Sequence, residues 1–294
     1  MPRMAKILPD AEEAARLAPG PRSVIWRIGS DARVMSAAGA PLLLQVAHPT
    51  VAGGVREHSD FKKDLWDRLW RTLDFVYLLT YGGPQAASHI GRQLREMHKP
   101  IKGVDPSGRR YHALEPGAYA WVHATLADVI VKGYSKFCRP LTPHEIDRLW
   151  QEWLGLGRLL GVREGDLPPT WAGFDDYMEE TIATRLEDND VVQDVLRTLD
   201  SPKAPPFVDD RLWKLLRIPA SEATRVGTLG MLRPSAREKL GLTFSRTDQA
   251  KLEAIALASR ATTPILPESV RRGGPAYLER RSRAIERGPF ARAA

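Results

Sequence analysis

LWDRLWRTLDFVYLLTYG, residues 65–82, is the stretch that decides the fold class. Leu65, Leu69, Leu73, Val76 and Leu79 recur at the three- and four-residue spacing of a helix with one apolar stripe. Gly82-Gly83-Pro84 supplies its stop. Upstream, Pro49 opens a further helix, TVAGGVREHS, in which Gly53-Gly54 allows close packing. LLLQVA, residues 42–47, is apolar all round and reads as a buried helix. VIWRIGSDARVMSAAGA, residues 24–40, has helical spacing, with Gly39 as a stop and Pro41 as the next start. Downstream, residues 85–99 are helical, and VDPSGRRYHALEPG, residues 104–117, is turn-rich and forms a hairpin or a loop. Pro116 opens a long helix to residue 137, and Thr142-Pro143-His144-Glu145 carries the signature of a capped helix start. Residues 167–190 read as a proline loop followed by a helix. Further helices are expected at 190–200, 208–217, 220–232, 247–262 and 275–287. The expectation is an all-α protein: a short helix and a flexible lead over residues 1–20, then a single multi-helix domain over 21–290. SPKAPP, residues 201–206, is the best candidate hinge.

The 294-residue chain is 43% hydrophobic and 27% charged, an ordinary globular composition. No apolar run reaches the roughly 20 residues needed to span a bilayer. The first 22 residues lack the apolar core of a signal peptide, so the expected location is the cytoplasm. One cysteine, Cys138, excludes an intrachain disulfide, a four-thiolate iron–sulfur cluster and covalent C-x-x-C-H haem attachment. In the apolar context GYSKFCRPL it reads as an inert packed thiol. The net charge is +7, with a basic tail that includes Arg271, Arg272, Arg280, Arg281 and Arg283. Such a tail can touch an anionic membrane surface. No nucleic-acid motif accompanies it, and nucleic acid is not an expected partner.

Polar side chains set into apolar helices point to a site, because burying them is unfavourable unless something satisfies them. His123 lies in WVHATLADV on a face shared with Tyr119, Ala120, Leu126 and Ala127, where small alanines leave room for a flat ligand. It is either a core histidine bonded to a backbone carbonyl or an axial iron ligand. Arg68 and Thr72 lie one turn apart on the 65–82 helix, in line with Phe75 and Leu79. The arginine needs a carboxylate, from a ligand or from a neighbouring helix. Arg71 faces the same side or solvent. His48, just before Pro49, is a candidate for supporting the site. His58 reads as part of a cap, with Ser59 and Asp60. No glutamate is followed by histidine three residues later, which argues against a di-iron carboxylate bundle. H-E-x-x-H, P-loop, G-x-S-x-G and G-x-G-x-x-G patterns are absent.

The order of these segments resembles the MpaB-type oxygenase family, which includes the rubber oxygenases (latex clearing proteins). APLLLQVAHPTVAGGVREHSDF, DRLWRTLDFVYLLTYG, YHALEPGAYAWVHATLADV, FCRPLTPHEIDRLWQEW and ILPESVRRGGPAYLERRSRA carry the resemblance, over about residues 20–290. It implies an all-helical fold with a globin-like core and a b-type haem. His123 falls where the rubber oxygenases have the proximal iron ligand, and Arg68 and Thr72 match their Arg-x-x-x-Thr pair. Arg71 stands where those enzymes can place a lysine that caps the distal iron. An arginine stays protonated and is a poor ligand, so that capping is not carried over. The implied activity is activation of O₂ at haem iron to oxidise an apolar, isoprenoid- or lipid-like substrate. Two other readings remain: a haem-binding sensor or carrier without turnover, and a basic helical interaction module without a cofactor.

Overall fold

The computed structural model describes residues 8–59, 65–205 and 208–267, together with residues 271, 273, 277 and 278; the side chains of Leu65, Asp67 and Arg68 are not among those described. The first helices are α1 (Ala11–Leu17), α2 (Val24–Gly29), α3 (Gly39–Ala47), α4 (Pro49–His58), α5 (Leu65–Tyr81) and α6 (Gly83–His98). An antiparallel hairpin follows, β1 (Lys102–Val104) paired with β2 (Arg110–His112). Then come α7 (Pro116–Phe137), α8 (Pro143–Leu160), α9 (Trp171–Arg185), α10 (Asp190–Asp200), α11 (Asp210–Met231), α12 (Pro234–Lys239) and α13 (Arg246–Ala261). The fold is all-α, with this small hairpin the one sheet among the described residues. The helix expected at 275–287 and the basic tail fall outside the described residues, apart from the positions named.

α7 is the central helix because it has almost no polar face. Thirteen of its 22 residues are buried, on every side, so it must be surrounded. α2, α3, α8, α11, α13 and a 3₁₀ turn at Ala32–Ala37 all pack on it. Glu115 caps its start, accepting from the backbone N–H groups of Gly117 and Ala118, and Pro116 takes the position where no N–H is needed. α3 is clipped to α7 by the Trp121 indole N–H, which donates to the Leu44 carbonyl at 2.8 Å. α8 begins with the expected capping box, Thr142 and Glu145 bonding reciprocally. α1, in the lead, packs on α6 and α8 and places Ala14 in the core.

Three elements differ from the sequence expectation. Gly39 does not stop a helix; it begins α3, and residues 24–40 divide into α2 and the 3₁₀ turn. A Cβ at Gly39 would lie 2.1 Å from Thr228 Oγ1, so this glycine permits α3 to touch α11. Pro219 does not separate two helices, because α11 runs through it. The two halves differ in burial instead: Arg211–Ile218 is mostly exposed, while Val226, Gly227, Thr228 and Leu229 are buried. α12, six residues long, has no counterpart in the expected series. The 104–117 segment resolves into a hairpin, whose turn is held by Asp105 accepting from Ser107 and Arg109.

Candidate functional site

A cavity of about 420 Å³ lies between α4, α5, the end of α6, α7 and α8. That is within the range that holds small molecules and cofactors. Its walls are mainly apolar: Phe75, Val76 and Leu79 from α5, Val122 and Leu126 from α7, and Leu156 from α8. α5 supplies its share because Thr72, Phe75 and Leu79 fall on one helical face.

His123 lines this cavity and is 4% exposed. Its Nε2 lies 2.9 Å from the Trp153 carbonyl oxygen. A carbonyl can only accept, so Nε2 carries the proton and Nδ1 the lone pair. Nδ1 has no hydrogen-bond partner among the described residues. Trp153 returns a bond, its indole N–H donating to the His123 carbonyl at 3.1 Å. The two rings stack with centroids 4.8 Å apart. Burial pushes the imidazole pKa down to about 4, against a smaller upward effect of the Trp153 carbonyl, so His123 is neutral near pH 7. Gly157 leaves the ring its place: a Cβ there would lie 2.9 Å from Nε2.

A second histidine, His98, lines the same cavity and was not singled out by sequence reasoning. Its Nδ1 lies 2.6 Å from the Leu94 carbonyl, one turn back on α6, which places the proton on Nδ1 and the lone pair on Nε2. Burial lowers its pKa. Tyr119 meets it edge to face, with centroids 6.0 Å apart, and donates its hydroxyl to the Leu160 carbonyl. Tyr119 is one turn before His123 on α7, so the tyrosine stands beside both imidazoles. A histidine in the last turn of a helix is an ordinary C-terminal choice, and the sequence offers no other signal for His98.

Arg71 and Thr72 line the cavity on its exposed rim, and His58, the last residue of α4, joins them there. Arg68 is on α5, but its side chain lies outside the described residues. Asp60, of the cap expected at His58–Asp60, also lies outside them. His48 is not among the cavity-lining residues. It caps the start of α4, is 7% exposed, and has a buried Nδ1 without a hydrogen-bond partner. Burial lowers its pKa; Glu115 and Glu187 oppose this and Arg185 assists it. Cys138 is buried with its thiol pushed up to about 12 by burial, so it is not a nucleophile at neutral pH.

A second hollow, of about 390 Å³, is lined by Lys132, Lys136, Arg233 and Arg260. Each of these cations already has an acceptor, in Asp128, Glu253, Asp128 with Glu179, and the Lys136 carbonyl respectively. Among the described residues, no cluster of three or more His, Cys, Asp or Glu side chains could hold a metal by itself. No helix among them is long and apolar enough to cross a membrane.

The chain is 26% identical over 232 residues to the uncharacterized protein Rv2237 of Mycobacterium tuberculosis, covering 78% of this chain and 88% of that protein. The uncharacterized protein Mb2261 of Mycobacterium bovis matches to the same extent, at 26% identity over 232 residues. No solved structure matches the chain. Residues 26–261, which include every helix lining the cavity, match the family described as ER-bound oxygenase mpaB/B'/Rubber oxygenase, catalytic domain, and the chain belongs to that family.

Proposed function

We propose that this protein is a haem b-dependent oxygenase that oxidises an apolar substrate, isoprenoid- or lipid-like in character, in the cavity beside His123. The family supplies the oxygenase class. The observation that carries the haem reading is His123: a buried, neutral imidazole with one nitrogen bonded to a carbonyl and the other keeping its lone pair.

The residues present fit such a group. A haem needs one neutral axial donor, apolar walls, and cations or hydroxyls for its carboxylates. His123 is the donor. Arg71 and Thr72 stand on the rim, and Arg68 precedes Thr72 by one turn on the same helix. When bound, haem supplies the redox-active iron at which O₂ is activated. The chain does the rest. Trp153 fixes the tautomer and orientation of His123, a hydrogen bond of the kind that sets ligand basicity. Phe75, Val76, Leu79 and Leu126 exclude water and accept an aliphatic chain. His98, neutral and with its proton held on Nδ1, offers Nε2 as a hydrogen-bond acceptor or proton carrier. His48, buried at the start of α4, would act on the site only by positioning that helix, whose Thr50, Val51 and Val55 line the cavity.

Arg71 favours a second reading. A protonated guanidinium in place of a ligating lysine suits a haem-binding sensor or carrier without turnover. The visible absorption spectrum of the purified, haem-supplied protein, recorded beside His123→Ala, tests the cofactor. A Soret band in the wild type that is lost or displaced in the variant is the expected result. A colourless wild type after expression with ample haem and attempted reconstitution would sink both haem readings. O₂ uptake with long-chain apolar substrates then separates oxygenase from carrier.

A further inference from the structure

We infer that the substrate of the His123 cavity is an apolar molecule carrying a neutral hydroxyl group, and that Gln45 of α3 accepts the hydrogen bond of that hydroxyl. Gln45 lines the cavity. Its side-chain nitrogen lies 3.0 Å from Thr125 Oγ1 and 3.4 Å from the Val122 carbonyl oxygen, both on α7. The Thr125 hydroxyl gives its one proton to that same carbonyl, at 2.9 Å. Thr125 Oγ1 can therefore only accept from Gln45, and so can the Val122 carbonyl. This fixes which way round the amide sits. Both of its N–H bonds are committed to the turn of α7 that carries His123, and Oε1 is the end that the chain does not use. Among the described residues, none donates to it.

The other polar side chains of the interior have the same polarity. His123 gives its Nε2 proton to the Trp153 carbonyl, and His98 its Nδ1 proton to the Leu94 carbonyl. The Tyr119 hydroxyl goes to the Leu160 carbonyl and the Trp153 indole N–H to the His123 carbonyl. The donors of these four side chains and of Gln45 are thus committed to the chain. Three acceptors stay open: Gln45 Oε1, His98 Nε2 and His123 Nδ1. Thr50 and Thr80, also on the wall, carry hydroxyls that turn either way and do not set the polarity. An interior of open acceptors discriminates by what it cannot bond. A ketone, an ether or a carboxylate brings only further lone pairs, and burying it there leaves acceptors facing acceptors. A hydroxyl brings the donor that the wall lacks. An ammonium group also donates, but it would enter past Arg71 on the rim and lose its solvation among apolar walls.

The inference rests on the reading of this cavity as the site of an apolar substrate, and takes nothing from haem. With His123 Nδ1 given to the cofactor of that reading, Gln45 and His98 are the acceptors that remain. Of the two, Gln45 does not titrate and is held by two bonds to α7, whereas His98 changes from acceptor to donor when it is protonated. Gln45 therefore takes the hydroxyl, and the apolar body of the substrate lies along Phe75, Val76, Leu79 and Leu126. A fixed acceptor also orients. A chain with a hydroxyl at one end then enters the cavity in a single direction and presents the same position along its length each time.

The test is isothermal titration of the full chain, with or without haem as it purifies, against decanol, its isomer nonyl methyl ether, and decanoate. The alcohol and the ether share one formula and nearly one volume, so the difference between them reads the donor. Wild type is expected to bind the alcohol about three- to tenfold more tightly than the ether, with decanoate weaker still. Gln45→Met keeps the volume and removes the acceptor, and should lose most of that preference while its affinity for the ether stays. Gln45→Asn, whose amide is one methylene shorter, is read in the same way if the methionine variant does not fold. A variant that weakens alcohol and ether equally would show that Gln45 only packs, and would overturn the assignment. A wild type that does not distinguish alcohol from ether would overturn it too. So would decanoate binding tightest, which would place the polar end on Arg71. Binding of none of the three would overturn the apolar-substrate reading and this inference together. A colourless protein that still prefers the alcohol would remove the haem reading and support the inference.

Discussion

His123 is held from two directions, and that has a measurable cost in acid. Its folded pKa, about 4, is depressed by burial from the ordinary value near 6.5. Above about pH 6.5 both folded and unfolded chains hold the ring neutral, and the site adds no pH dependence. Between that pH and about 4 the unfolded chain binds a proton that the folded chain refuses. Stability therefore falls as pH drops through this window, by about 1.4 kcal/mol per pH unit for one such group. His48 and His98, also lowered by burial, act in the same direction. His123→Gln keeps a donor for the Trp153 carbonyl and removes the titration. Urea unfolding of the haem-free proteins at about pH 7 and about pH 5 should show a shallower loss in the variant, by one proton's worth. Equal slopes would mean that His123 is protonated in the fold. His123 and Thr72 were legible in the sequence as polar residues on apolar faces. His98 was not, because its place depends on where the end of α6 meets Tyr119 of α7, and no local pattern encodes that meeting.

At the scale of elements, most helices follow from apolar periodicity and caps, since each needs only residues within a turn or two. α5, α7 and the capping box of α8 are of this kind. What the sequence misassigned depends on a partner far along the chain. Gly39 reads as punctuation, yet its reason is Thr228 on α11. Gly39→Ala should destabilise by about 1–3 kcal/mol, as overpacking of a tight contact does. The Thr228 hydroxyl is buried without a partner, so its removal is tolerable. The double variant Gly39→Ala/Thr228→Ala should therefore recover part of the loss. Chemical denaturation of the four proteins closes the cycle, and strict additivity would show that the two positions do not meet. Pro219 misleads for a different reason. A proline weakens a helix locally, but the packing of the second half of α11 on α3 and α13 carries the helix through.

At the scale of the whole molecule, distant helices are tied by a buried ionic cluster as well as by apolar packing. Asp128 of α7 is fully buried and accepts from Arg233, which leads into α12, and from Lys132. Arg233 also reaches Asp175 and Glu179 of α9. Asp128→Asn leaves the buried guanidinium with its outer partners only, and should cost roughly 3 kcal/mol. A melting temperature unchanged by that substitution would show that Asp175 and Glu179 alone neutralise Arg233. Such ties make the core around α7 open as one unit, but they stop short of the first half of α11. That helix therefore runs on two clocks. Amide hydrogens of Arg211–Ile218 have little packed over them and should exchange with deuterium early, by local fraying. Those of Val226–Leu229 should wait for opening of the core. Exchange read by mass spectrometry would place the step between fast and slow protection at Pro219, dividing one continuous helix into a part that samples solution and a part that belongs to the interior.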